Sequence, residues 1–101
     1  MSELCLTLLC PPAIEEKLLD LLLMSSEITT FFTSSKTAAH GLAHERLSQA
    51  EQVLGRALAT EVKVFLTEGN QAPLLDTIRQ QFAGAGLRYW LTPVLDAGEI
   101  V

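Results

Sequence analysis

Basic residues are scarce in this chain and never clustered: seven lysines and arginines stand against twelve aspartates and glutamates, for a formal net charge of −5. Nucleic-acid binding needs clustered Lys and Arg to meet the phosphates, so that class of function has no electrostatic support. Aromatic residues are also few, at 6%, with one tyrosine and one tryptophan, Tyr89 and Trp90. Without a basic groove around that pair, a base-stacking role falls with it. Long apolar runs are missing too. The run LLDLLLM at 18–24 is interrupted by Asp20, and it falls far short of the roughly 20 apolar residues of a membrane span, so no membrane insertion is expected.

Cysteine is limited to Cys5 and Cys10. On one strand these positions have opposite parity and point to opposite faces, which prevents a local disulfide. Neither has a CxxC companion, and their spacing is unlike a zinc knuckle. The expectation is a reduced, cytoplasmic protein in which Cys5 is a buried strand residue and Cys10, beside the Pro11-Pro12 turn, is the more exposed thiol. The opening MSELCLTLLC carries an acidic residue where a signal peptide has a basic one, so no export is expected.

Aliphatic residues, by contrast, are abundant. Hydrophobic residues make up 49% of the 101 positions, and mean hydropathy is +0.30. A chain of this length builds one domain with one modest core. The apolar content is rich for that core alone, so burial of apolar surface against other subunits is expected.

Apolar spacing divides the chain into elements. A nearly continuous apolar run predicts a strand over 4–9, stopped by Pro11-Pro12. Ile14, Leu18, Leu21 and Leu22 then recur at helical spacing over 13–24, with Glu15 and Glu16 at the positive end of that helix. The β-branched and aromatic stretch EITTFFT predicts a strand over 27–33. The polar, small-residue stretch that follows reads as a long excursion at about 34–50. A third strand is expected over 51–67, bent near Gly55, with 52–58 equally readable in part as a helical turn. Asn70 is placed to cap a helix whose face carries Leu74, Leu75, Ile78 and Phe82 and which ends at Gly84 or Gly86. The last strand, over 87–94, contains Pro93, which puts it at an edge or a break.

The resulting order, β-α-β-β-α-β, predicts an α+β, ferredoxin-like domain over 1–101, an antiparallel sheet with both helices on one face. The other sheet face then needs a partner surface, most simply another subunit. Consecutive strand residues face opposite ways, so Tyr89 and Trp90 are split between faces, as are Phe31 and Phe32.

The element order, the long insertion after the second strand, the segment EQVLGRALATEVKVFLTEG at 51–69 and the ending RYWLTPV at 88–94 resemble the PII-like superfamily. The similarity is greatest to small bacterial members of unknown function, often associated with heavy-metal efflux loci. That resemblance implies a homotrimer whose sheets face the threefold interior. It also implies a non-enzymatic role in which the loop at 34–49 contacts a partner protein through Ser34, Ser35, Lys36, Thr37, His40, Gly41, His44, Glu45 and Arg46. Regulatory members bind adenine nucleotides in clefts between subunits. On this chain the corresponding cleft residues are Gly84, Gly86 and Arg88, with Lys36 and Arg56 contributed from elsewhere. AGAGLRYW at 83–90 departs from the family's basic phosphate-contacting turn in having Arg88 alone as a cation.

Two further chemistries are open to the residues themselves. His40 and His44 stand at i,i+4, and with Glu45 they are candidate ligands for Zn or Cu, against the plainer reading of solvent-facing or partner-contacting histidines. A metal-binding accessory protein is therefore one alternative, and a structural or adaptor trimer without a small ligand is another. Ser34, Ser35, His40 and Glu45 include the residue types of a nucleophilic site. Lying together on a polar loop does not give them attack geometry, and Glu15 and Glu16 are adjacent on a helix, so no enzyme is expected.

Overall fold

The apolar run near the start of the chain forms its strand one residue longer at each end than expected. The computed structural model describes residues 3–41 and 56–101. In it β1 (Glu3–Cys10) is followed by a 3-10 turn over Pro12–Ile14, then α1 (Glu15–Met24), β2 (Thr29–His40), β3 (Arg56–Thr67), α2 (Gln71–Phe82) and β4 (Arg88–Val94). Pro12 sits at the start of the turn, where its missing N–H breaks no bond, and Glu15 and Glu16 occupy the first turn of α1. Asn70 stands at the N-cap position of α2 without a side-chain cap. Its Nδ2 donates instead to the Ile28 carbonyl at 3.4 Å, tying the start of α2 to the residue before β2.

The strands form one antiparallel sheet in the order β2-β3-β1-β4. This is the expected ferredoxin-like β-α-β-β-α-β topology, with β4 at an edge, where Pro93 is tolerated. Directly paired residues share a face, so the register sorts the side chains. Leu6 pairs with Val64, and Leu8 with Val62. These residues, with Cys10 and Leu66, pack against Leu18, Leu21 and Leu22 of α1 and against Leu74, Leu75, Ile78 and Phe82 of α2. Both helices therefore cover the same sheet face. Each large aliphatic side chain fully buried there contributes roughly 1.5–3 kcal/mol relative to exposure.

Three expectations are corrected. Residues 34–40, expected to open the excursion, continue β2 in register with β3 from Ser34 opposite Val62 to His40 opposite Arg56. Pairing with β3 supplies the strand hydrogen bonds that small polar residues would not hold by propensity alone. Cys10, expected to be the more exposed thiol, is 1% exposed and belongs to the core. Its even parity with Leu6 and Leu8 turns it under the helices, while Cys5 points to the opposite face. The second helix ends at Phe82, before either glycine. The 51–55 part of the expected third strand, with its bend at Gly55, lies outside the described residues.

Candidate functional site

The sheet face away from the helices carries the first candidate surface. Register places Phe31, Phe65, Cys5 and Thr92 in one row across it, and Thr33, Lys63, Thr7 and Trp90 in the next. Phe31 and Phe65 stack with ring centroids 4.6 Å apart and planes inclined by 14°. Phe31 is nonetheless 54% exposed and Trp90 44%. Neither helix covers this face. Large aromatic groups left half in water on a flat face are the signature of a surface that meets another molecule. The split orientation of both aromatic pairs is as expected: Phe32 packs against the core, and Tyr89 lies opposite Leu8 on the helix side.

The second candidate is a groove of about 320 Å3 on the helix side of β4. Its floor is apolar, from Leu8 of β1 and Leu75, Ile78 and Phe82 of α2, and the turn 83–87 with Tyr89 forms its wall. Gly84 and Gly86 hold φ of 76° and 87° in that turn, a conformation that other residues adopt only with strain. Arg79, in the last turn of α2, is the charged residue of the lining. Its Nη2 donates to the Tyr89 hydroxyl at 3.0 Å, and its Nη1 donates to Asp76 Oδ1 at 3.4 Å.

A third cluster sits where β1 ends. The Thr60 hydroxyl donates to the Glu15 carboxylate, linking β3 to the first turn of α1. Cys10 is opposite Thr60 in the ladder. Burial pushes the Cys10 thiol pKa up, the nearby Glu15 charge adds to the rise, and a backbone hydrogen bond with Thr60 offsets part of it. A thiol held in its protonated form is a poor nucleophile and a poor metal ligand.

The sequence-predicted residues are distributed unevenly over these surfaces. Gly84 and Gly86 line the groove. Arg88 opens β4 opposite Leu9, with the parity of the open face rather than of the groove. Lys36 is on β2 opposite Thr60, three strands from β4, or about 14 Å at ordinary strand spacing. Arg56 opens β3 opposite His40. One chain therefore brings Gly84 and Gly86 together but leaves Lys36 and Arg56 on the far side of the sheet.

Of the predicted partner-contacting residues, Ser34, Ser35, Lys36, Thr37 and His40 belong to β2 and alternate between its faces. Gly41 follows the strand with φ 77°. His40 is exposed. Its proposed co-ligands His44 and Glu45, and Arg46, lie outside the described residues. Among the described residues, no three His, Cys, Asp or Glu gather as a metal-binding group. No helix among them is long and apolar enough to cross a membrane.

Sequence reasoning missed Arg79. The contact that places it is with Tyr89, ten residues on, across the gap between a helix and a strand. The available signal was a lone cation in the last turn of an otherwise uncharged helix end.

A four-stranded antiparallel sheet in the order β2-β3-β1-β4 with both helices on one face is the ferredoxin-like fold. Over its whole length, residues 1–101, the chain matches the family described as "Protein of unknown function (DUF3240)", and it belongs to that family. Its structure is similar to that of a DUF3240 family protein from Shewanella baltica OS155, with a TM-score of 0.81 and 18% identity over 100% of this chain and 99% of that one. It is also similar to CPII, a nitrogen regulatory PII-like protein from Thiomonas intermedia K12 bound to ADP, AMP and bicarbonate. There the TM-score is 0.72 at 16% identity, over 99% of this chain and 98% of that one. A third similarity is to Bacillus subtilis GlnK, with a TM-score of 0.67 and 13% identity over 94% and 87% of the two chains. No curated protein sequence matches the chain.

Proposed function

We propose that this chain is a non-enzymatic PII-like regulatory protein that acts as a homotrimer, holding a small ligand between subunits and meeting a partner protein through residues 34–49. The observation that carries the reading is the open sheet face, where Phe31, Phe65 and Trp90 form an aromatic patch that neither helix covers. Covering such a patch with sister chains removes apolar area from water and fits the high aliphatic content of the sequence.

An adenine nucleotide is the first ligand to test, because CPII shares this fold and is bound to ADP and AMP. Gly84 and Gly86 would bring backbone N–H groups to a phosphate, beside Arg88, with Lys36 and Arg56 reaching it from a neighbouring subunit. The cation supply in one chain is thin, so affinity depends on assembly. Isothermal titration of the purified protein with ADP and AMP tests this. Micromolar binding weakened by Arg88→Ala supports the reading. Absence of nucleotide binding, with zinc or copper binding that disappears in His40→Ala plus His44→Ala, replaces it with the metal-accessory alternative.

A further inference from the structure

Past the end of β1 the sheet narrows to a two-stranded arm. β1 pairs with β3 as far as Cys10 opposite Thr60, whereas β2 and β3 go on pairing from Thr37 opposite Ala59 to His40 opposite Arg56. Alternation sorts these positions into two faces. Lys36, Ala38 and His40 share the helix side with Thr60, Leu58 and Arg56, the side on which Ser34 meets Val62. The helices cover that side only as far as Thr60, whose hydroxyl engages Glu15 at the start of α1. Val62 is completely buried, while Leu58 is 60% exposed, and Lys36 and His40 are exposed. On a chain of net charge −5 this face is the exception, because positions 36, 40 and 56 carry Lys, His and Arg and the ladder pairs between them hold no acid.

We propose that this face of the arm docks an acidic, extended segment of the partner protein, with one carboxylate on Lys36, an apolar side chain over Ala38 and Leu58, and a second carboxylate at the His40 and Arg56 pair. Lys36 and His40 stand about 13 Å apart along the strand. An extended segment returns its side chains to one face at every second residue, so acid, apolar and acid at i, i+2 and i+4 match the arm in register. The lysine ammonium gives a charge-assisted hydrogen bond to its carboxylate, and the imidazole N–H donates to the other. A chain of negative net charge repels an acidic partner elsewhere, so the basic arm also orients the encounter. Two basic ends separated by an apolar strip suit two separate carboxylates better than one compact phosphate. The inference rests on the proposed function in its partner contact alone, not in its trimer or its nucleotide, and narrows that contact to the helix-side face of the arm.

The test titrates the full-length protein into a fluorescein-labelled peptide, TETLTET, and reads anisotropy at low salt. The control peptide TEELTTT has the same composition and charge in the wrong spacing. The expected result is saturable binding of TETLTET, roughly tenfold tighter than that of the control. Lys36→Glu weakens it by about tenfold, and a peptide with one glutamate replaced by lysine recovers the loss. Lys17→Glu, the same change of charge at an exposed position of α1, leaves binding unchanged. Equal affinity for the two peptides overturns the inference, as do equal losses in Lys36→Glu and Lys17→Glu. Release of the peptide by ADP overturns it in favour of a phosphate site at Lys36. Sedimentation and ADP titration of the same samples separate the two readings. A trimer that binds ADP but not the peptide removes the inference alone, whereas a monomer that binds the peptide in the required spacing removes the proposed assembly and keeps the arm.

Discussion

The Arg79 guanidinium closes on the Tyr89 ring, its Nη2 3.0 Å from the phenol oxygen and its central carbon 5.6 Å from the ring centroid. The contact joins the last turn of α2 to the start of an edge strand and sets the width of the groove between them. Being exposed, it contributes positioning more than stability. Arg79→Ala is expected to lower unfolding stability by less than about 1 kcal/mol in urea denaturation. A loss several times larger would mean that the pair holds β4 to the sheet.

The core is the opposite case. Leu6 and Leu18 are completely buried between the sheet and α1. Truncating either to alanine leaves a cavity and is expected to cost about 2–5 kcal/mol. For a domain of this size each 1 kcal/mol lowers the melting temperature by roughly 4–8 °C. Calorimetry should therefore separate Leu6→Ala from the exposed control Leu23→Ala without ambiguity.

Thr60→Val keeps the shape of the side chain and removes the hydroxyl that donates to Glu15. A hydrogen bond to a charged group is worth about 1.5–3 kcal/mol, and this one is only part-buried, so a loss near the lower figure is expected. Glu15→Gln, which retains an acceptor oxygen, should cost less. A larger loss from Glu15→Gln than from Thr60→Val would show that the carboxylate charge, not the hydrogen bond, matters.

Cys10 predicts an alkaline limit. Burial and Glu15 raise its thiol pKa in the folded state, so above the ordinary thiol range near 8.5 the unfolded chain gives up the proton first. The unfolded state then binds fewer protons than the native one, and stability falls as pH rises from that value toward the raised folded pKa. Below it, Cys10 contributes no pH dependence. Cys10→Ala should flatten this alkaline slope in urea titrations from pH 7 to pH 10, despite its own cavity cost. An unchanged slope would assign the alkaline loss to other groups.

Much of this arrangement is legible in the sequence. Apolar spacing locates β1, both helices and β4, and parity alone separates Tyr89 from Trp90 and Phe31 from Phe32. The extent of β2 is not legible, because Ser34, Ser35 and Ala38 have weak strand preference and are held by the facing residues of β3. Cys10 looks exposed from its neighbouring prolines. In the fold, the turn at Pro12–Ile14 leads directly into α1, which packs back over the strand end. The groove depends on Arg79 meeting Tyr89 and on helix and strand facing each other, relations that no local window contains.

The association of sister chains through the aromatic sheet face is the point on which the functional reading turns. Sedimentation equilibrium of the full-length protein, beside Phe65→Asp and Trp90→Asp, tests it most directly. The expected result is a three-chain mass for the natural protein and folded monomers for the two variants, since a buried unpaired carboxylate costs several kcal/mol. A natural protein that sediments as a monomer at every concentration would contradict the account.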